Sequence, residues 1–198
     1  GIARIRFMTS HPKDISERLL EVLAGHENIC KQLHLPVQSG SSRVLARMNR
    51  GYSREDYLGI VEKARKMVPG IALTTDIIVG FPGETEEDFL QTMDLMRRVG
   101  YDAAFTFVYS PRNGTKAAEF PDQIPEEVKQ QRIVQLVALQ YEQTYQSNFA
   151  YVGKTERVLI EEVSRRDEKS VCGRTDSGKM VNMEGAKDTI GTFVTAEI

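Results

Sequence analysis

The sequence predicts an α/β protein: a parallel sheet with helical crossovers, followed by a small antiparallel β-barrel. Three observations carry that prediction. Strand-like and helix-like hydrophobic runs alternate four times up to about residue 148. Helix-start signatures stand where the period changes, at Asp14, Ser53 and Thr85. From about Phe149 the pattern turns to short β-like runs punctuated by Gly153, Gly173, Gly178, Gly185 and Gly191.

In chain order, Ala3, Ile5 and Phe7 alternate against Arg4, Arg6 and Met8, which reads as a strand from the first residues. With Gly1 in place of an initiator methionine, the sequence reads as beginning inside a domain. Asp14 is placed to cap a helix carrying Ile15, Leu19, Val22 and Leu23 on one face and closed by Gly25. Residues 31–37 read as the second strand, followed by a short helix over 42–48. The capping box Ser53-x-x-Asp56 opens a longer helix that buries Tyr57, Ile60, Val61, Ala64 and Met67 and stops at Pro69-Gly70. The third strand, 71–79, runs into Gly80-Phe81-Pro82-Gly83, and Thr85 with Asp88 starts the next helix, which ends at Gly100. Residues 103–109 form the fourth strand, and a helix from Glu126 to about Gln146 leads into β-like runs at 155–163, 170–173, 180–183 and 192–198.

Composition narrows the function classes. Hydrophobic residues make 40% and charged residues 27% of the chain, an ordinary globular profile. No apolar stretch approaches the roughly 20 residues that cross a bilayer, so no membrane partner is expected. The net charge of −2, and eight Lys/Arg against nine Asp/Glu in residues 150–198, give no bulk electrostatic pull toward nucleic acid. Cys30 and Cys172 stand far apart, fit no metal-ligand spacing, and by their scarcity point to a reducing, cytoplasmic compartment.

In a parallel α/β array the four strand ends share one rim, where such folds place their ligands. Those ends read Thr9-Ser10-His11-Pro12, then 38–42 (QSGSS), 80–84 (GFPGE) and 110–115 (SPRNGT), each rich in Gly, Ser or Thr. The rim offers no acid/base pair and no cysteine cluster, so a cofactor is expected to carry any difficult chemistry. Gly173-Arg174-Thr175-Asp176-Ser177-Gly178-Lys179-Met180 approaches P-loop spacing, but Met180 replaces the magnesium-binding Ser or Thr and a strand follows, so it reads as a turn. His34 is either a core-edge residue or one that faces the barrel interior. Tyr101, Tyr109, Tyr141 and Tyr145 read as packing residues.

His34-Leu35-Pro36-Val37-Gln38-Ser39-Gly40-Ser41, Met48-Asn49-Arg50-Gly51-Tyr52, Asp76-Ile77-Ile78-Val79-Gly80-Phe81-Pro82-Gly83-Glu84-Thr85 and Tyr109-Ser110-Pro111-Arg112-Asn113-Gly114-Thr115 together resemble the methylthiotransferases of the radical S-adenosylmethionine (SAM) class. Within them the sequence is most similar to the tRNA-modifying MiaB type, which methylthiolates isopentenyladenosine beside the anticodon. Asn113 departs from the proline more usual there. The branch acting on threonylcarbamoyladenosine is the nearest alternative, and a non-catalytic RNA-binding module is a further one. The resemblance implies a partial (β/α) barrel of the radical SAM type over 1–148 and a slightly truncated TRAM-like RNA-binding β-barrel over 149–198. It implies SAM at Gln38, Ser39, Ser41, Gly80, Gly83, Ser110 and Arg112, with tRNA as partner. Arg174, Lys154 and Lys179 are candidate RNA contacts in the β-module. Two 4Fe-4S clusters are implied for the longer parent, but their cysteines are absent here, so the chain is expected to be inactive alone. No catalytic residue is assigned. An open sheet edge near residues 2–8 is expected to promote self-association.

Overall fold

The computed structural model describes residues 1–8, 11–165, 167 and 169–198. Three parallel strands, Gln32–His34 (β1), Ala72–Val79 (β2) and Ala103–Val108 (β3), form one sheet in the order β1-β2-β3. Helices Glu17–Gly25 (α1), Ser42–Arg47 (α2), Arg54–Met67 (α3) and Glu86–Val99 (α4) surround the connections between these strands. Register is set by Leu33 opposite Leu73 and Ile77 opposite Thr106. The core joins Leu33, Leu35, Leu73, Ile77 and Val79 of the sheet to Tyr57 and Val61 of α3 and Phe89 and Met96 of α4. Both capping boxes form as the sequence predicts, at Ser53 and Thr85, and Gly100 closes α4 in the left-handed conformation with φ 58°.

Three local expectations are corrected. Pro12 nucleates a 3-10 turn that takes Asp14 inside it, so Ser16 caps α1 instead, accepting from Leu19 N at 3.2 Å. The stretch Ala3–Met8 does not become a strand; its one bridge is Ile5 to Ile29, with Ile5 N donating to Asn28 O at 2.7 Å and Cys30 N donating to Ile5 O at 2.9 Å. Its alternating arginines leave the sheet for the β-module: Arg4 donates to Arg174 O at 2.6 Å and Arg6 to Thr175 O at 3.1 Å. The second strand is also shorter than expected. Pro36 has no N–H to donate, and the ladder resumes as a single bridge between Gln38 and Ile77. Thr9 and Ser10 of the first expected rim element lie outside the described residues.

Helix Glu126–Phe149 (α5), 24 residues and so about 36 Å long, packs on β3 and runs from the carboxyl rim of the sheet to its amino edge. Beyond it, Thr155–Val163 (β4), Ser170–Arg174 (β5), Met180–Glu184 (β6) and Phe193–Glu197 (β7) make an antiparallel sheet ordered β6-β5-β4-β7. The expected small barrel is thus an open, curled half barrel, with β6 and β7 as its edges among the described residues. A bulge at Ile160/Glu162 bends β4, and opposite it Gly173 has no room for a Cβ, because the Leu159 carbonyl occupies that space. Val158, Ile160 and Val171 are its buried core. Among the described residues no helix is long and apolar enough to cross a membrane.

The β5–β6 turn, the P-loop look-alike, fastens this module to the amino edge. Asp176 accepts from Lys31 N at 3.1 Å, just before β1. Lys179 Nζ donates to Ser147 Oγ at 2.7 Å and lies 3.4 Å from Asp102, just before β3. Tyr151 donates to Ser177 Oγ at 2.8 Å.

Candidate functional site

The carboxyl rim holds a cavity of about 640 Å³, a size suited to a small organic ligand. Ile78 and Phe107 of the sheet, with Phe81 and Tyr109 just past it, give it apolar walls, while Gln38 and Ser110 supply polar groups. The segment 110–125 arches over the cavity and is pinned on the far side. There Asp122 accepts two bonds from Arg47 at 2.8 and 2.9 Å and its carbonyl accepts from Gly83 N at 2.8 Å, while the Arg47 guanidinium lies over Phe120 at 4.9 Å.

Two features mark the cavity as built for a ligand. Gln38 adopts φ 71°, a left-handed conformation unfavourable for a residue with a Cβ, and is held there by Gln38 N to Asp76 O and Ile78 N to Gln38 O, both 2.9 Å. The Tyr109 hydroxyl is buried with no hydrogen-bond partner among the described residues, a condition that costs about 1–3 kcal/mol unless something fills it. The loop after α2 is bent by two further left-handed residues, Asn49 at φ 57° and Gly51 at φ 70°, and sets Arg50 against the cavity. Arg50, Arg112 and Lys116 line the cavity with no charged or hydrogen-bonded side-chain partner among the described residues.

Behind the cavity, two buried carboxylates organise the loop after β2. Asp88 accepts from Ser41 Oγ at 2.6 Å, from Thr85 N and Oγ1 at 2.8 and 2.7 Å, and from Arg43. Burial alone would raise its pKa, but the bonds from Arg43, Ser41 and Thr85 outweigh it and hold the carboxyl well below the usual carboxylate range. Glu84 accepts from Gly80 N at 2.9 Å and from Arg132 of α5 at 2.8 Å. Its burial dominates and pushes its carboxyl upward, with Gly80 and Arg132 opposing.

The seven candidate cofactor residues therefore fall into two groups. Gln38, Ser110 and Arg112 line the cavity. Ser39 is fully buried against Thr92, and Ser41 caps α2 while holding Asp88. The space a Cβ would take at Gly80 is filled by Lys129 of α5, and at Gly83 by Asp122 and Arg47. His34 sits on the sheet face that carries Phe105, with Nδ1 2.9 Å from Thr74 Oγ1 and Nε2 3.5 Å from Asp76. Of the candidate RNA contacts, Lys179 is turned into the amino-edge contact, Arg174 pairs with Glu161, and Lys154 is exposed with its ammonium 5.5 Å from the Tyr151 ring. Tyr101 packs as expected, whereas Tyr141 and Tyr145 stand 74% and 64% exposed on α5.

Sequence reasoning missed Phe81, Phe107, the Tyr109 hydroxyl, Arg50 and Lys116. The period-two pairing of Phe105 with Phe107 was a usable signal, since two large apolar side chains on one strand face must meet either a core or a ligand. For Arg50 the local signal was its place between Asn49 and Gly51, two residues suited to the left-handed conformations they adopt.

Comparison with known proteins gives two domain matches: the Radical SAM superfamily over residues 1–96 and the TRAM domain over residues 150–198. Proteins named tRNA-2-methylthio-N(6)-dimethylallyladenosine synthase match the whole chain. The one from Clostridium botulinum (strain Langeland) is 54% identical and that from Syntrophomonas wolfei 51% identical, each over 198 residues. This chain spans 44% of the length of each. Among solved structures, the coproporphyrinogen III oxidase HemN of Escherichia coli, described as a radical SAM enzyme, aligns over 71% of this chain and 32% of its own with a TM-score of 0.59 at 20% identity. That likeness concerns the fold.

Proposed function

We propose, from the premise that this chain belongs to the radical SAM superfamily and ends in a TRAM domain, that it is the cofactor- and RNA-facing part of a tRNA methylthiotransferase acting on isopentenyladenosine. The observation that supports this most is the rim cavity, whose chemistry suits an adenosyl sulfonium ligand. Phe81, Phe107 and Ile78 offer apolar faces to an adenine, and Gln38, Ser110 and the unsatisfied Tyr109 hydroxyl offer hydrogen bonds to its edges and ribose. Arg112 is placed to meet a carboxylate. Gly80, Gly83, Ser39 and Ser41 act on the ligand through the loops they shape. SAM bound there would supply the radical chemistry that the chain's own side chains lack.

An iron–sulfur cluster does not fit these residues. Among the described residues no three Cys, His, Asp or Glu stand together as ligands, and Cys30 and Cys172 are buried in different domains. The cluster ligands would then belong to the remainder of the longer proteins that the chain matches. Any self-association would draw on apolar surface of the sheet rather than on residues 2–8. Ile5 is already bridged, but Phe105 and Phe107 leave the sheet's inner face half bare.

The test uses the full-length protein, reconstituted with iron and sulfide and given SAM, a reductant and an anticodon stem-loop carrying isopentenyladenosine. Digestion and mass spectrometry are expected to find the methylthio nucleoside, and Ser110→Ala to weaken SAM binding. Modification of threonylcarbamoyladenosine alone, or RNA binding without SAM uptake, would overturn the proposal.

A further inference from the structure

We infer that the two loops bordering the cavity mouth grip the RNA backbone, with Arg50 on one side and Lys116 on the other, while the target base enters between them toward the bound SAM. This rests on the reading above that RNA is the substrate. Cations near the amino edge are committed to internal partners: Arg4 and Arg6 to β-module carbonyls, Lys31 to the carbonyls of Leu23 and His26, and Lys179 to Ser147 and Asp102. At the rim Arg47 is likewise spent on Asp122. Among the described residues Arg50 and Lys116 are not, although both line the cavity, and Arg112, also unpaired, is the one assigned to the SAM carboxylate. A lone unpaired surface lysine would mean little. Here Arg50 and Lys116 approach one cavity from different elements, the loop after α2 and the arch after β3, and Arg50 is set by a backbone bent into left-handed conformations at Asn49 and Gly51.

Phosphate is the chemistry that fits. A base that approaches SAM seated against Phe81, Phe107 and Tyr109 stops at the cavity mouth and brings its own 5′ and 3′ phosphates there, one toward each loop. Arg50 suits a bidentate phosphate contact and Lys116 a point-charge one. Pinning of the arch by Asp122 keeps the Lys116 side from drifting away.

The experiment is a fluorescence-anisotropy titration of the labelled anticodon stem-loop with the full-length protein across a salt series. Each phosphate contact to single-stranded nucleic acid contributes about 0.7 to the log–log salt slope, so Arg50→Gln/Lys116→Gln should flatten that slope by about 1.4. Arg50→Lys/Lys116→Arg should keep it. Thermal melts establish that the variants fold, and each single glutamine variant should give about half the change. An unchanged slope in the folded double variant overturns this inference while leaving the proposed function standing. A slope that moves instead with Lys154→Gln also overturns it, by placing the backbone contact on the β-module. Failure of the wild-type protein to bind the stem-loop would sink the proposed function itself.

Discussion

The two ends of the parallel sheet use charge in opposite ways. At the amino edge Arg4, Arg6, Asp176, Asp102 and Lys179 are bound to one another's elements, so charge there joins two domains. At the carboxyl rim Glu84–Arg132 and Asp88–Arg43 pair one layer back and Arg47 is held by Asp122, while Arg50, Arg112 and Lys116 face the cavity unpaired among the described residues. The difference follows from the size of the two cores. The α/β part buries a broad cluster around Leu33, Ile77 and Phe89, whereas the β-module buries little beyond Val158, Ile160 and Val171 and leans on its neighbour. A small module recruits its polar groups for attachment, and a larger one can leave some of its own free for a ligand.

The largest effect that tests this division is at Arg132. Its guanidinium meets Glu84 at 2.8 Å with both side chains almost fully buried, and it ties α5 to the loop after β2. Arg132→Met leaves the Glu84 carboxylate buried without its cation, which is expected to cost about 3–5 kcal/mol. Urea denaturation of the protein measures it. A loss comparable to that of a surface substitution would mean that the rim's second layer is not what holds the cavity loops.

How much of this was legible in the sequence depends on whether the signal was local. The capping boxes at Ser53 and Thr85, the strands over residues 72–79 and 103–108, and the four β-module strands were legible because each rests on residues within a few positions of one another. The GFPG turn could be seen but not its neighbours. That Lys129 and Asp122 fill the spaces at Gly80 and Gly83 depends on α5 and the arch returning from far along the chain. The opening strand failed for a similar reason. Its alternation was real, but Arg4 and Arg6 answer to carbonyls about 170 residues away. Which lysines and arginines are free for a ligand is a question of pairing, and pairing is tertiary.

A middle-sized effect distinguishes the second layer by pH. The hydrogen bonds to Asp88 hold its carboxyl below the usual range, so the unfolded state binds its proton more readily than the folded one. The stability it contributes is therefore complete above the unfolded value of about 4 and drains away as pH falls through and below it. Asp88→Asn is expected to cost about 2–3 kcal/mol at neutral pH, and wild type and variant should converge in acid. A gap that stays constant from neutral pH down to about 3 would show that the carboxylate charge is not what the site uses.

The smallest effects compare two lysines of the β-module that the sequence could not tell apart. Lys179 is largely buried, donates to Ser147 at 2.7 Å and stands 3.4 Å from Asp102, so it helps hold the module to the amino edge. Lys154 is exposed, and among the described residues its charge lies over the face of Tyr151, 5.5 Å from the ring centre. Lys179→Gln loses a charged hydrogen bond at a domain junction and should cost about 1–2 kcal/mol, with faster proteolysis around residues 150–155 where the module would swing free. Lys154→Gln should stay within about 0.5 kcal/mol of wild type, as exposed substitutions generally do. Urea denaturation of the two variants side by side reads the difference. Equal costs would mean that the amino-edge contact does not depend on charge, and Lys179 would then be as available to an RNA phosphate as Lys154.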